Sequence, residues 1–376
     1  MQLKKYRNYI YYSFALLLSL NFLLLANYLD LQNFTKYLLV ITFSSLFSAI
    51  FYHATLKSKI INKNINLNYS NSSIFIIFFF LILSCLYLYS RLGIELVFFF
   101  ILSILFEFIL SILNIFFIKN NKLLEHSRFQ FFINLIKNFF IIILYLHTRD
   151  LLIIITLFYF FFYMGYFLFL KKINISFSKQ KIKFKPIDIF YVFSGVLIFQ
   201  LDKIFGEFFL QIDQFINYML IFKIASIFQI LGSIIFQPLR NIMIFKEDLT
   251  KKNIQIIFVR CLYLLIILFI LLLLFIFFSK FSFFEKYFFK INLINILIFL
   301  FIALGFIQHV FNGFFLDFLL IKNLSHISLV INLIIVSAMT LVFFKTQSIF
   351  FWSITFFSSQ FIITILSKFY YDKYVK

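Results

Sequence analysis

Apolar residues in this chain come in unbroken runs of about 20, separated by short breaks that carry charge. A helix needs about 20 consecutive apolar residues to cross the hydrocarbon core of a bilayer, whereas a soluble helix needs only one apolar stripe. Twelve runs can be marked, at 9–29, 35–56, 73–90, 94–118, 129–147, 151–170, 187–210, 214–240, 254–279, 291–321, 324–344 and 347–367. The close pairs 73–118 and 324–367 are each divided by a short turn only. Charged residues make up 13% of the 376 and apolar ones 64%, against about 25% charged in soluble domains. A soluble core, a disordered chain and a secreted disulfide scaffold are thereby excluded. The runs predict an all-α integral membrane protein of about twelve transmembrane helices.

The formal charge of +20 would suggest nucleic acid in a soluble protein, but in a membrane protein Lys and Arg crowd the cytoplasmic loops. Their positions test this. With the N-terminus inside, 24 of the 34 basic residues fall on the inner side, seven on the outer side, and Lys137, Lys203 and Lys223 within spans. That bias predicts both termini in the cytoplasm and leaves no need for nucleic acid. The start, Met1 to Lys5, leads into the first run without a small-residue cleavage site, which predicts a retained helix and not a removed signal. Cys85 and Cys261 lie inside apolar runs and read as buried free thiols. The excess of Phe (66) over Gly (7) and Pro (2) follows AT-rich codons, which points to a low-GC, bacterial genome and removes functional weight from the Phe count.

The longest polar connection, 171–186, is strongly basic and divides the chain into residues 1–170 and 187–376, six spans each. This predicts two six-helix lobes around a central cavity, the layout of a transporter built from two similar bundles, with the linker on the cytoplasmic side.

Polar residues recur within the spans at helical spacing. At 100° per residue, Ser103, Glu107, Ser111 and Asn114 share an arc of roughly 80° on span four. Gln130, Asn134, Lys137, Asn138 and Tyr145 share roughly 100° on span five, and Lys223, Ser226, Gln229, Ser233 and Gln237 about 120° on span eight. Shorter stripes are Ser45, Ser48, Tyr52 and Thr55 on span two, and Gly305, His309, Asn312 and Gly313 on span ten. An unpaired polar group in hydrocarbon costs several kcal/mol, so these faces meet protein or water. Two readings stand side by side: hydrogen bonds between helices, and a hydrated cavity. Glu107 and Lys137 can pair as a structural bridge or line such a cavity. Lys203 and Glu207, at i,i+4, can form a local ion pair or meet substrate. His309 reads as a hydrogen-bonded interior histidine or a proton relay. No zinc-protease helix motif, metal-ligand spacing, nucleophile elbow or glycine-rich phosphate loop occurs, so no catalytic residue, metal or cofactor is expected.

Residues 195–240 carry Asp202, Lys203 and Gly206, then Tyr218, Lys223 to Ala225, and Pro238. This stretch resembles spans seven and eight of the polysaccharide (O-antigen type) lipid-linked oligosaccharide flippases, within the multidrug/oligosaccharidyl-lipid/polysaccharide exporter superfamily. In that pattern an acid–base dipeptide precedes a glycine near the outer end of span seven, and a proline closes span eight. Ile216 stands where the family usually has a glycine. The resemblance implies a flippase moving an undecaprenyl-diphosphate-linked oligosaccharide across the bacterial inner membrane by alternating access. A diphosphate carries negative charge and a glycan demands hydrogen bonds, so Lys137, Lys203 and Lys223 are expected to supply cationic contacts for the diphosphate, and Asn134, Asn138, Gln229, Gln237 and Asn312 to bind sugar hydroxyls. Glu107 and Asp202 become candidates for proton or sodium coupling. The expected partners are the lipid-linked oligosaccharide, the bilayer and other membrane proteins of polysaccharide assembly. Two alternatives share the composition: a polymerase or ligase of the same pathway, which usually carries a large outer loop lacking here, and a small-molecule antiporter, which three intramembrane lysines disfavour.

Overall fold

The computed structural model describes residues 40, 43–44, 46–51, 71–119, 185–229, 231–232, 251–278, 292–321 and 324–374. Among them every regular element is a helix, and there is no strand. In chain order these are α1 (Asn71–Leu92), α2 (Ile94–Lys119), α3 (Pro186–Phe209), α4 (Ile212–Ala225), α5 (Lys251–Phe278), α6 (Leu293–Ile321), α7 (Ser325–Thr346) and α8 (Ile349–Tyr374). Each coincides within a few residues with an apolar run, or in α4 with the first half of one. Residues 40–51 are helical wherever they are described. The runs at 9–29, 129–147 and 151–170 lie outside the described residues, as does the linker 171–184.

Among the described residues five segments, Ser72–Ser90, Pro186–Phe209, Leu293–Gly313, Ser325–Thr346 and Ile349–Tyr374, are long and apolar enough to cross a membrane. Their exposure is inverted relative to a soluble protein. On α7 the outward face is Val330, Leu333, Ile334, Leu341 and Phe344, while Ser325, Ser328 and Asn332 are buried. On α1, Phe75, Phe78 and Leu86 are all more than half exposed. Large apolar side chains facing outward while hydroxyls and amides face inward are costly in water and favourable in hydrocarbon. The chain is a multi-pass helical membrane protein.

Both short turns fall where the sequence divides the close pairs, and each uses a left-handed residue. Gly93, at φ 89, is the single residue between α1 and α2, and its N–H donates to the Tyr89 carbonyl at 3.2 Å. Gln347, at φ 42, closes α7 before Ser348 and α8. A left-handed residue reverses the chain direction within one turn, but for a residue with a Cβ that conformation costs about 1–2 kcal/mol. Gly93 escapes this cost; Gln347 does not.

The chain falls into two compact units, and the division lies within α3, after Val196. In the N-terminal unit, Val40, Leu46, Phe47, Leu88, Phe99 and Phe100 form the core. There the Ser44 and Ser103 hydroxyls hydrogen-bond to each other, one of them donating to the other, whose own proton goes to a carbonyl of its own helix. Ser103 belongs to the stripe read on span four, but its partner Ser44 lies outside the stripe read on span two. Among the described helices of the C-terminal unit α6 and α8 form the most extensive pair, with α7 against α8 and α4 against α6. Gly305 sets the α6–α8 approach: a Cβ there would lie 2.5 Å from Phe356 Cε1.

Candidate functional site

The site begins with the start of α3. Pro186 occupies the first helical position, where its missing N–H costs nothing. Asp188, in the first turn, accepts from the Lys185 backbone N–H at 2.8 Å, satisfying a donor that the helix cannot. With its start fixed, α3 carries Phe199, Asp202, Lys203 and Gly206 toward the turn at Leu210 and Gln211. Gly206 lets the returning α4 approach closely, since a Cβ there would lie 2.7 Å from Phe215 Cδ2. The hairpin thereby brings Tyr218 level with Asp202.

Asp202 is completely buried and Lys203 is 7% exposed. The Lys203 ammonium lies 3.4 Å from Asp202 Oδ1, and the Lys203 backbone N–H donates to the same oxygen at 2.9 Å. Tyr218 donates its hydroxyl to Asp202 Oδ2. Lys203 also donates to the Phe199 carbonyl, one turn back, and its Nζ stands 3.7 Å from the centre of the Phe222 ring. A charged pair in an apolar helix is tolerable only when both members are paired and hydrogen-bonded. Here the carboxylate has an ammonium, a phenol and an amide, and the ammonium has a carboxylate, a carbonyl and a ring.

Aromatic rings join this pair to a second cluster. Phe222 packs edge-on against Phe306 at 5.0 Å, and Phe199 against the His309 ring at 4.2 Å. Beyond them, Asn312 of α6 is completely buried and donates through Nδ2 to Gln360 Oε1 at 3.2 Å and to the Gln360 carbonyl at 3.0 Å. Thr364 donates to Asn312 Oδ1 and receives a hydrogen bond from Gln308 Nε2 at 2.6 Å. Gln308 and Asn312, four residues apart on α6, thus meet Gln360 and Thr364, four apart on α8. The geometry is a two-rung amide–hydroxyl clasp between helices.

Of the residues singled out from the sequence, Asp202 and Lys203 come together in the ion pair, and Asn312 enters the clasp, its carboxamide engaged on both sides. Lys223 and Gln229 are half-buried on α4 and just beyond it. The run 214–240 contains a break that its apolarity does not reveal. α4 ends at Ala225, Ser226 forms a turn, and helical residues resume at 227. The Ser226 hydroxyl donates to the Lys223 carbonyl at 2.6 Å, and the Gln229 N–H donates to the Ser226 carbonyl at 3.0 Å, a three-residue step that tightens the helix. Asn134, Lys137, Asn138 and Gln237 lie outside the described residues, as does the side chain of Glu107, whose backbone belongs to α2. Among the described residues no group of His, Cys, Asp and Glu is placed to hold a metal ion. The sequence reading missed Gln360 and Thr364, although Ser353, Gln360, Thr364 and Ser367 recur on one face of span twelve.

No family model, curated protein or solved structure matches this chain.

Proposed function

We propose that this chain is a transporter and not an enzyme: a flippase that carries an undecaprenyl-diphosphate-linked oligosaccharide from the inner to the outer leaflet of a bacterial inner membrane. The observation that carries the reading is the buried Asp202–Lys203 pair, with Tyr218 and Phe222 closing around it. An ion pair in a membrane-spanning helix is expensive to keep, and such residues mark substrate or ion pathways. Tyr218 and the Asp202–Lys203 dipeptide also belong to the stretch that resembles span seven and span eight of lipid-linked oligosaccharide flippases.

In this reading twelve helices form two six-helix lobes that rock between inward- and outward-open states about the basic linker 171–186. Lys203 is the switching cation. Engaged by Asp202 when no substrate is present, it turns to the diphosphate when the lobes open, joined by Lys137 and Lys223. Asn134, Asn138, Gln229, Gln237 and Asn312 receive sugar hydroxyls, with Asn312 exchanging its Gln360 bonds for them. Asp202, relieved of its lysine, and Glu107 take the coupling ion.

The test is deletion of the gene in its host, with surface polysaccharide and lipid-linked precursor both measured. Loss of surface glycan with precursor accumulating on the cytoplasmic face is the expected result. Normal surface glycan sinks the proposal, and precursor found outside but unpolymerised points to a polymerase. Complementation with Lys223→Ala should fail at normal protein level; full rescue removes Lys223 from the pathway.

A further inference from the structure

A buried carboxylate that loses its ammonium is left as an uncompensated charge, and breaking such a pair is strongly unfavourable. For Lys203 to turn from Asp202 to a diphosphate, something else must hold the carboxylate while the ammonium is away. The donors around Asp202 divide into one that can leave and two that cannot.

Oδ1 receives the Lys203 backbone N–H at 2.9 Å and the Lys203 ammonium at 3.4 Å, while Oδ2 receives the Tyr218 hydroxyl. The ammonium therefore makes the longer of two contacts to an oxygen that is already bonded, and it sits at the end of a flexible stem. Its other partners, the Phe199 carbonyl and the Phe222 ring, do not depend on the carboxylate. The backbone N–H is fixed by α3. The phenol is fixed as well, and by contacts outside the ion pair. Tyr218 is completely buried, and its ring packs against Phe222 of its own helix at 6.0 Å and edge-on against Trp352 of α8 at 6.5 Å. Trp352 is held in turn by Phe343, with ring centres 5.0 Å apart. Departure of the ammonium thus leaves one fixed donor on each carboxylate oxygen.

We infer that Tyr218 is the positioning residue that allows Lys203 to leave Asp202 and return to it. The inference rests on the flippase reading, in which Lys203 is the switching cation. The Tyr218 hydroxyl stays on Oδ2 in both states, so the carboxylate is never stripped of its partners, and Asp202 keeps the orientation that takes the ammonium back. A phenol suits this task, because it donates to a carboxylate yet carries no positive charge that would compete with Lys203 for the diphosphate.

The full chain in mixed micelles, unfolded by SDS and followed through Trp352 fluorescence, gives the first test. Lys203→Met, Tyr218→Phe and the double variant form a cycle. Tyr218→Phe should cost more in the Lys203→Met chain than in the wild type, by about tenfold in the unfolding equilibrium, since only there does the phenol stand between the carboxylate and an unpaired charge. A hydroxyl that merely fills its place costs the same in both chains, so losses that add, or fall short of adding, overturn the inference. The second test is the deletion host, complemented with each gene and pulse-labelled with a radioactive sugar. Tyr218→Phe should slow the appearance of surface glycan about 10- to 100-fold at normal protein level, the worth of a hydrogen bond to a charged group, with precursor held on the cytoplasmic face. Export at the wild-type rate overturns the role of Tyr218 and leaves the flippase reading standing. Surface glycan that does not depend on the gene at all sinks the flippase reading and this inference with it, whatever the cycle shows.

Discussion

Neutralising one member of the buried pair should cost more than neutralising both. At 3.4 Å the attraction between Lys203 and Asp202 is about 5 kcal/mol at an effective dielectric of 20, before desolvation is charged against it. Lys203→Met removes that attraction and leaves the carboxylate with the Tyr218 hydroxyl and one backbone N–H, so the expected loss is about 3–5 kcal/mol. Asp202→Asn leaves the ammonium with the Phe199 carbonyl and the Phe222 ring, a contact worth about 2 kcal/mol when desolvated. Its loss should fall at the lower end, about 3 kcal/mol, or roughly a hundredfold in the folding equilibrium. The double variant buries no charge and should be more stable than either single one. Trp352 makes the assay direct. It is the only tryptophan, completely buried, with its ring 6.5 Å from Tyr218. Its fluorescence, followed while SDS is titrated into mixed micelles, reports the opening of this unit. Single-variant losses below about 1 kcal/mol, the range of ordinary interhelical hydrogen bonds in membranes, would refute a strongly coupled pair. So would a double variant whose cost is the sum of the two.

Three further changes probe the packing around the site in the same unfolding assay. Gly305→Ala places a Cβ 2.5 Å from Phe356 Cε1 and should destabilise by about 1–3 kcal/mol; combining it with Phe356→Leu should recover part of the loss, and an unchanged midpoint for Gly305→Ala alone would show that the ring yields freely. Thr364→Val keeps the shape of the side chain but deprives Asn312 Oδ1 of its donor and Gln308 Nε2 of its acceptor, so a loss of about 1–3 kcal/mol is expected, and a neutral result would mean that the clasp contributes nothing. Gln347→Gly relieves the φ 42 conformation and should stabilise by about 0.5–1 kcal/mol after the greater flexibility of glycine in the unfolded chain is deducted; a loss would place an unrecognised contact at Gln347.

The architecture was the most legible part of the sequence, because in hydrocarbon a single requirement dominates. Every backbone group must be satisfied within the helix, so run length alone locates spans. α1, α2, α3, α5, α6, α7 and α8 all lie where runs at 73–90, 94–118, 187–210, 254–279, 291–321, 324–344 and 347–367 put them. The turns at Gly93 and Gln347 were legible as short polar interruptions. The break at Ser226 was not, since Ile227 and Phe228 continue the apolar run across it, and only the hydrogen bonds of Ser226 and Gln229 disclose it.

Side-chain partners were much less legible, and the reason is geometric. Periodicity tells which residues share a face but not which face of another helix lies opposite. Asp202 and Lys203 stand out as charges in any reading, yet nothing local says that Tyr218 and Phe222 complete their shell, because that depends on how the turn at Leu210 folds α4 back. The i,i+4 spacing of Lys203 and Glu207 suggests one partner, while the ion pair that forms is with the adjacent Asp202. Asn312 shows the same effect from the other direction. Its place in a polar stripe fits a sugar contact as well as a helix contact, and only the arrival of Gln360 and Thr364 from α8 engages its carboxamide on both sides. Intramembrane polar residues therefore mark where partners must exist before they show which ones. In this chain those on α3, α4, α6 and α8 find them chiefly in one another, so any substrate that enters must compete with bonds already made.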